Sequence, residues 1–115
     1  MTTNTLTNNQ TIKFPNTPSI DIVLGLKHCN NNQPLYFKIL NSFVKRYQNI
    51  NLYDISAEEL PRTLHSLKGL ASTLGMVNLS HIVSDLESSL DKTKINSFSL
   101  EMDRITQSIL SIQLN

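Results

Sequence analysis

The chain has 115 residues, a formal net charge of +1 and 39% hydrophobic residues, which suits one domain with a real core and excludes a disordered polyampholyte. Ten Lys and Arg against nine Asp and Glu leave no basic surplus, so nucleic acid is not an expected partner. The longest apolar stretch, Ile22 to Leu26, is far short of the roughly 20 residues that a membrane span needs.

The start, Met1-Thr2-Thr3-Asn4, has neither the basic beginning nor the apolar core of a secretory signal. One cysteine, Cys29, excludes an internal disulfide framework and suits a reducing compartment. A cytoplasmic protein is expected. Three glycines and no Trp argue against a glycine-rich nucleotide site and a Trp-centred sandwich.

Residues 1–18 are rich in Asn and Thr, end with Pro15 and Pro18, and read as a tail or linker. The domain is expected over 19–115. Ile20, Val23, Leu24 and Leu26 mark a short first helix, stopped by Asn30-Asn31-Asn32, whose side chains compete for backbone hydrogen bonds. Pro34 fits a first helical turn, and Tyr36, Ile39, Leu40, Phe43, Val44 and Tyr47 then recur at three- and four-residue steps. After a connection over 49–54, Ser56 and Glu59 have the spacing of a capping box. The third helix follows with Leu60, Leu64, Leu67, Ala71 and Leu74 as its apolar stripe and Gly75 as its stop. Leu79, Ile82, Val83, Leu86 and Leu90 predict a fourth helix. A turn around Thr93 to Asn96 precedes a fifth helix with Phe98, Met102, Ile105, Ile109 and Ile112. No segment alternates like a strand. The expected fold is all-α: an antiparallel up-down four-helix bundle with a short extra N-terminal helix.

On the third helix, at about 100° per residue, His65 lies at least about 100° from every member of the leucine stripe. It therefore points outward, with Pro61, Lys68, Gly69 and Ser72 on the same face, joined by Met76 if the helix continues; otherwise Met76 reads as core edge. A neutral imidazole is a nucleophile near neutral pH, and an exposed ring can meet a phosphoryl donor held by another protein. Lys68 at i+3 can offer an ammonium to phosphate oxygens. Gly69 has no side chain to obstruct a partner, although glycine inside a helix costs about 0.5–1 kcal/mol relative to Ala. An exposed His with Lys at i+3 is by itself commonplace on a solvated face. His28 and Cys29 are adjacent and diverge on a helix, and His81 is far along the chain, so no metal site is expected.

The segment His65-Ser66-Leu67-Lys68-Gly69-Leu70-Ala71-Ser72-Thr73-Leu74-Gly75, in the pattern H-x-L-K-G-x-x-x-x-L-G, resembles the signature of histidine-containing phosphotransfer (HPt) domains of two-component phosphorelays. The likeness extends upstream over Ile20 to Leu26 and Leu35 to Phe43, and downstream over Leu79 to Leu90. The resemblance implies reversible phosphorylation of His65 on the ring nitrogen distal to the backbone, with aspartyl phosphates of receiver domains as donor and acceptor. It implies that Lys68 stabilises the phosphoryl group, that Gly69 leaves room for the receiver, and that Glu87 on the next helix orients the ring, as in the phosphotransfer domain of chemotaxis kinases. A solvated glutamate is the alternative for Glu87. Pro61, Arg62, Gly69, Ser72 and Met76 would belong to the docking face, with an ordinary surface arginine as the alternative for Arg62. No cofactor and no autonomous kinase activity are expected of this chain, since the divalent cation would sit on the receiver. Partners would be receiver domains and a hybrid sensor kinase, met as a monomer. A helical adaptor that binds such partners without phosphotransfer is the competing reading. The Asn- and Thr-rich start fits a linker within a longer chain, and Met1 fits a short complete protein.

Overall fold

The computed structural model describes residues 19–113, so the tail expectation for 1–18 lies outside the described residues. The helices are α1 (Ile22–His28), α2 (Gln33–Tyr47), α3 (Leu60–Leu74), α4 (Val77–Ser88) and α5 (Lys92–Gln113), with a 3-10 turn at Leu52–Asp54. No strand occurs among the described residues. α3 packs along α4, α4 along α5, and α2 against α5, while α1 lies on α3 and α2.

Side-chain caps set most boundaries. Asp21 Oδ1 accepts from the Leu24 N–H (3.0 Å), and Asn32 Oδ1 accepts from the Leu35 N–H (3.0 Å). Asn30 and Asn31 take the left-handed conformation (φ 56 and 58), which asparagine tolerates, and this turns the chain from α1 into α2. Only half of the expected capping box forms. Ser56 Oγ accepts from the Glu59 N–H (3.1 Å), but Glu59 faces Arg62 (3.9 Å) and α3 starts later, at Leu60. Pro61 has no N–H to offer the Ala57 carbonyl, so the helical ladder cannot run unbroken from Ser56.

Two boundaries differ from the periodicity. Val23 is 79% exposed, whereas Ile22 and Gly25 are buried, because α1 begins only after the Asp21 cap and Ile20 enters the core from the segment before it. The last turn comes at 89–91, and Thr93 to Asn96 already lie in α5. Asp91 Oδ1 accepts from the Lys94 N–H (2.9 Å), and Lys94 Nζ donates to Ser89 Oγ (2.9 Å), which starts α5 early. Leu90 falls in this turn, exposed.

The core unites the predicted stripes: Tyr36, Leu40 and Phe43 of α2, Leu64, Leu67 and Leu74 of α3, Leu79, Val83 and Leu86 of α4, and Phe98, Met102, Ile105 and Ile109 of α5. The carbonyls that end α3 find donors on neighbouring segments. Asp21 N–H reaches Gly75 (2.7 Å), His28 Nδ1 donates to Thr73 (2.9 Å), and the Tyr36 hydroxyl donates to Leu74 (2.8 Å). Burial, with Cys29 and Asp21 adding to it, pushes the Tyr36 phenol well above its usual range, so it stays a donor.

Met76 is fully buried, which corrects its expected place on the docking face. Gly75 ends α3 at φ 85, and the Met76 N–H returns to the Ala71 carbonyl (2.8 Å). In this helix ending the residue after the glycine folds back onto the last turn, which carries Met76 inward.

Glu101 on α5 is 2% exposed, yet among the described residues its Oε2 has no hydrogen-bond partner, and its Oε1 meets the largely exposed Arg104 (3.4 Å). A buried carboxylate so poorly paired costs stability. Glu101→Met is expected to raise stability by about 1 kcal/mol or more, read as a higher thermal midpoint. An unchanged or lower midpoint would contradict this.

Candidate functional site

Leu64 and Leu67 are buried on one side of α3, and this anchors His65 on the other, with Lys68 on the flank that meets α4. The His65 side chain is 79% exposed. Lys68, one turn on, is 37% exposed and places Nζ 2.7 Å from Glu87 Oε1. The other oxygen of Glu87 lies 3.8 Å from His65 Nδ1. α4 thus brings its carboxylate between the imidazole and the ammonium of α3. At 3.8 Å the ring contact is beyond hydrogen-bond reach, so the close partner of Glu87 is the lysine. Nδ1 is the ring nitrogen turned toward α4.

Gly69 has no neighbouring atom within 4 Å of where a Cβ would stand. Among the described residues nothing requires a glycine there. Gly69→Ala is therefore expected to stabilise the isolated protein by about 0.5–1 kcal/mol, which a denaturant melt would read. A loss of stability would mean that the helix needs this glycine.

Ser72 shares a hydrogen bond with Ser80 of α4 (2.8 Å) and remains exposed, a pairing of helices that sequence periodicity gives no means to find. Pro61 and Arg62 are exposed at the start of α3, and Arg62 lies 3.9 Å from Glu59. Beside them a shallow groove between the end of α2 and α3 is lined by Arg46, Ile50, Ile55, Thr63 and Ser66. Arg46, stacked over the Tyr47 ring at 5.2 Å, brings a second cation to this side of α3. Its position near the third helix depends on the connection over 48–59 and is not legible locally. His81 is exposed on the far side of α4, facing α5. Cys29 is buried beside the exposed His28. Among the described residues no group of His, Cys, Asp or Glu could hold a metal ion. No helix there is long and apolar enough to cross a membrane.

The geometry offers an accessible ring nitrogen, an ammonium one turn away and a carboxylate between them. This is a nucleophile with a counter-charge, suited to receiving a group from a donor that docks over α3.

A family model described as the Hpt domain matches residues 47–113, more than half of the chain, and includes all of α3, α4 and α5. The match starts at the last residue of α2, so α1 and most of α2 lie outside it. Comparison with curated proteins finds no match, and comparison with solved structures finds none.

Proposed function

The chain belongs to the Hpt domain family, which implies histidine phosphotransfer in phosphorelays, and from that premise we propose that it is a phosphocarrier acting through His65. The observation that carries the reading is an imidazole 79% exposed on α3, inside the family match, with Lys68 one turn on. A receiver domain docks over the outer face of α3, with Pro61, Arg62, Gly69 and Ser72 in contact. Nε2 of His65 attacks the phosphorus of its aspartyl phosphate. The P–O bond breaks and its electron pair leaves on the aspartate, while the Nε2 lone pair forms the P–N bond and Nδ1 keeps its proton. The receiver supplies the divalent cation, and this chain supplies the nucleophile, the Lys68 charge and the open space at Gly69. The reverse step returns the group to a second receiver or to one on a hybrid sensor kinase. Glu87 stands beside Nδ1 but beyond hydrogen-bond reach (3.8 Å), and its close partner is Lys68.

In this reading residues 19–115 form one monomeric domain in the cytoplasm. Helices α2 to α5 are an antiparallel up-down bundle, and α1 packs across the end of α3. No kinase activity of its own is required.

The test is phosphate transfer from a phosphorylated receiver to wild type and to His65→Gln. Acid-labile, base-stable label on wild type alone supports the carrier. Receiver binding with no label on wild type, across several receivers, supports a non-catalytic adaptor instead.

A further inference from the structure

Lys68 is engaged by a carboxylate in the unphosphorylated protein, and we propose that Glu87 competes with the phosphoryl group for Lys68 and thereby keeps the phosphohistidine ready to transfer. This rests on the phosphocarrier reading of His65 and deepens it. The Lys68–Glu87 contact is 2.7 Å, a charge-assisted hydrogen bond, whereas the ring is 3.8 Å from the same carboxylate. The tight partner of Glu87 is therefore the cation that a phosphoryl group on Nε2 would need. The other cation near His65 on α3, Arg62, is turned to Glu59 (3.9 Å).

Phosphorylation adds about 1.5 to 2 negative charges on the neighbouring ring. Those oxygens draw the Lys68 ammonium, and the Glu87 carboxylate holds it back. The phosphorylated state thus gains less from Lys68 than it would beside a neutral residue. A carrier has to release its group as well as accept it, and a fully neutralised phosphoryl group would stay on the histidine. Lys68 and Glu87 are 37% and 26% exposed, so solvent screens the effect and it amounts to a tuning, not an on-off switch. Glu87 is a positioning residue in this scheme, since it acts through Lys68.

The experiment loads His65 with potassium phosphoramidate, which phosphorylates imidazoles without a protein donor, and then adds an unphosphorylated receiver. The partition of phosphate between the two proteins is read at equilibrium. Glu87→Gln is expected to shift the partition about three- to tenfold toward the phosphohistidine at low salt, and less at high salt. In a Lys68→Ala background the same substitution should shift it by no more than about twofold. A folding defect would not reverse with salt or vanish with Lys68, and circular dichroism checks the helices. An unchanged partition, or a shift toward the receiver, would overturn the inference and make Glu87 a support of the ring. An equal shift in both backgrounds would overturn Lys68 as the route. If, once excess phosphoramidate is removed, the receiver draws phosphate from loaded His65→Gln as readily as from loaded wild type, the phosphocarrier reading of His65 itself fails, and this inference with it; label on the exposed His28 and His81 that the receiver does not take up leaves the comparison intact.

Discussion

Replacing His65 with Gln is expected to abolish phosphate uptake from a phosphorylated receiver while leaving the thermal midpoint within about 3 °C of wild type. The two halves have separate causes. The side chain is 79% exposed and its nearest charged neighbour is 3.8 Å away, so its removal opens no cavity and strands no buried partner. Substitutions at such sites usually change stability by no more than about 0.5 kcal/mol. Glutamine has no nucleophilic lone pair on nitrogen, because its amide nitrogen is conjugated to the carbonyl. The loss of transfer is therefore complete, not partial. The check is a transfer assay beside a melt of the same preparation. Residual label on the variant would place the accepting group elsewhere, and a collapsed melt would make the loss of label uninformative about chemistry.

Gly75→Ala should produce the largest structural effect. Gly75 sits at φ 85, where an L side chain costs about 1–2 kcal/mol. A Cβ there would also run into the Asp21 backbone. The Asp21 N–H to Gly75 carbonyl bond (2.7 Å) ties α1 to the end of α3, and moving the chain to admit a methyl weakens it. Together these give an expected loss of about 2–4 kcal/mol, or roughly 10–25 °C in thermal midpoint for a domain this small. Asp21 can retreat only by pulling α1 off α3, so the defect should also appear as faster amide exchange in α1. A loss below about 1 kcal/mol would mean that α1 is only loosely held. The contrast with Gly69 is instructive: both glycines lie on or at the end of α3, yet Ala is expected to stabilise at one and to damage at the other. The difference is in φ and in what stands opposite the Cβ.

Much of the fold was legible along the chain because a helix is a local object. The three- and four-residue steps of Tyr36 to Tyr47, Leu64 to Leu74 and Phe98 to Ile112 mark faces that are buried in the structure. The stop at Gly75 was legible for the same reason. Where the reading erred, a cap outweighed the period. Asp91 starts α5 ahead of its apolar stripe, and Asp21 moves α1 past Ile20. Leu90 matched a spacing but lies in the turn that Asp91 and Lys94 create.

The outward direction of His65 was also determined by the sequence alone, since it lies about 100° or more from Leu64 and Leu67 on one helix, whereas Lys68, about 40° from Leu64, falls on the flank of that stripe. Tertiary structure decided which groups meet them. Glu87 reaches Lys68 across 2.7 Å only because α4 runs beside α3 in one register, and no periodicity within either helix contains that register. The burial of Met76 follows from the return of the chain after Gly75, and the burial of Glu101 from the packing of α5 against its neighbours. Helical period is encoded within about four residues of each position, whereas the meeting of side chains from two helices depends on how both pack into one core.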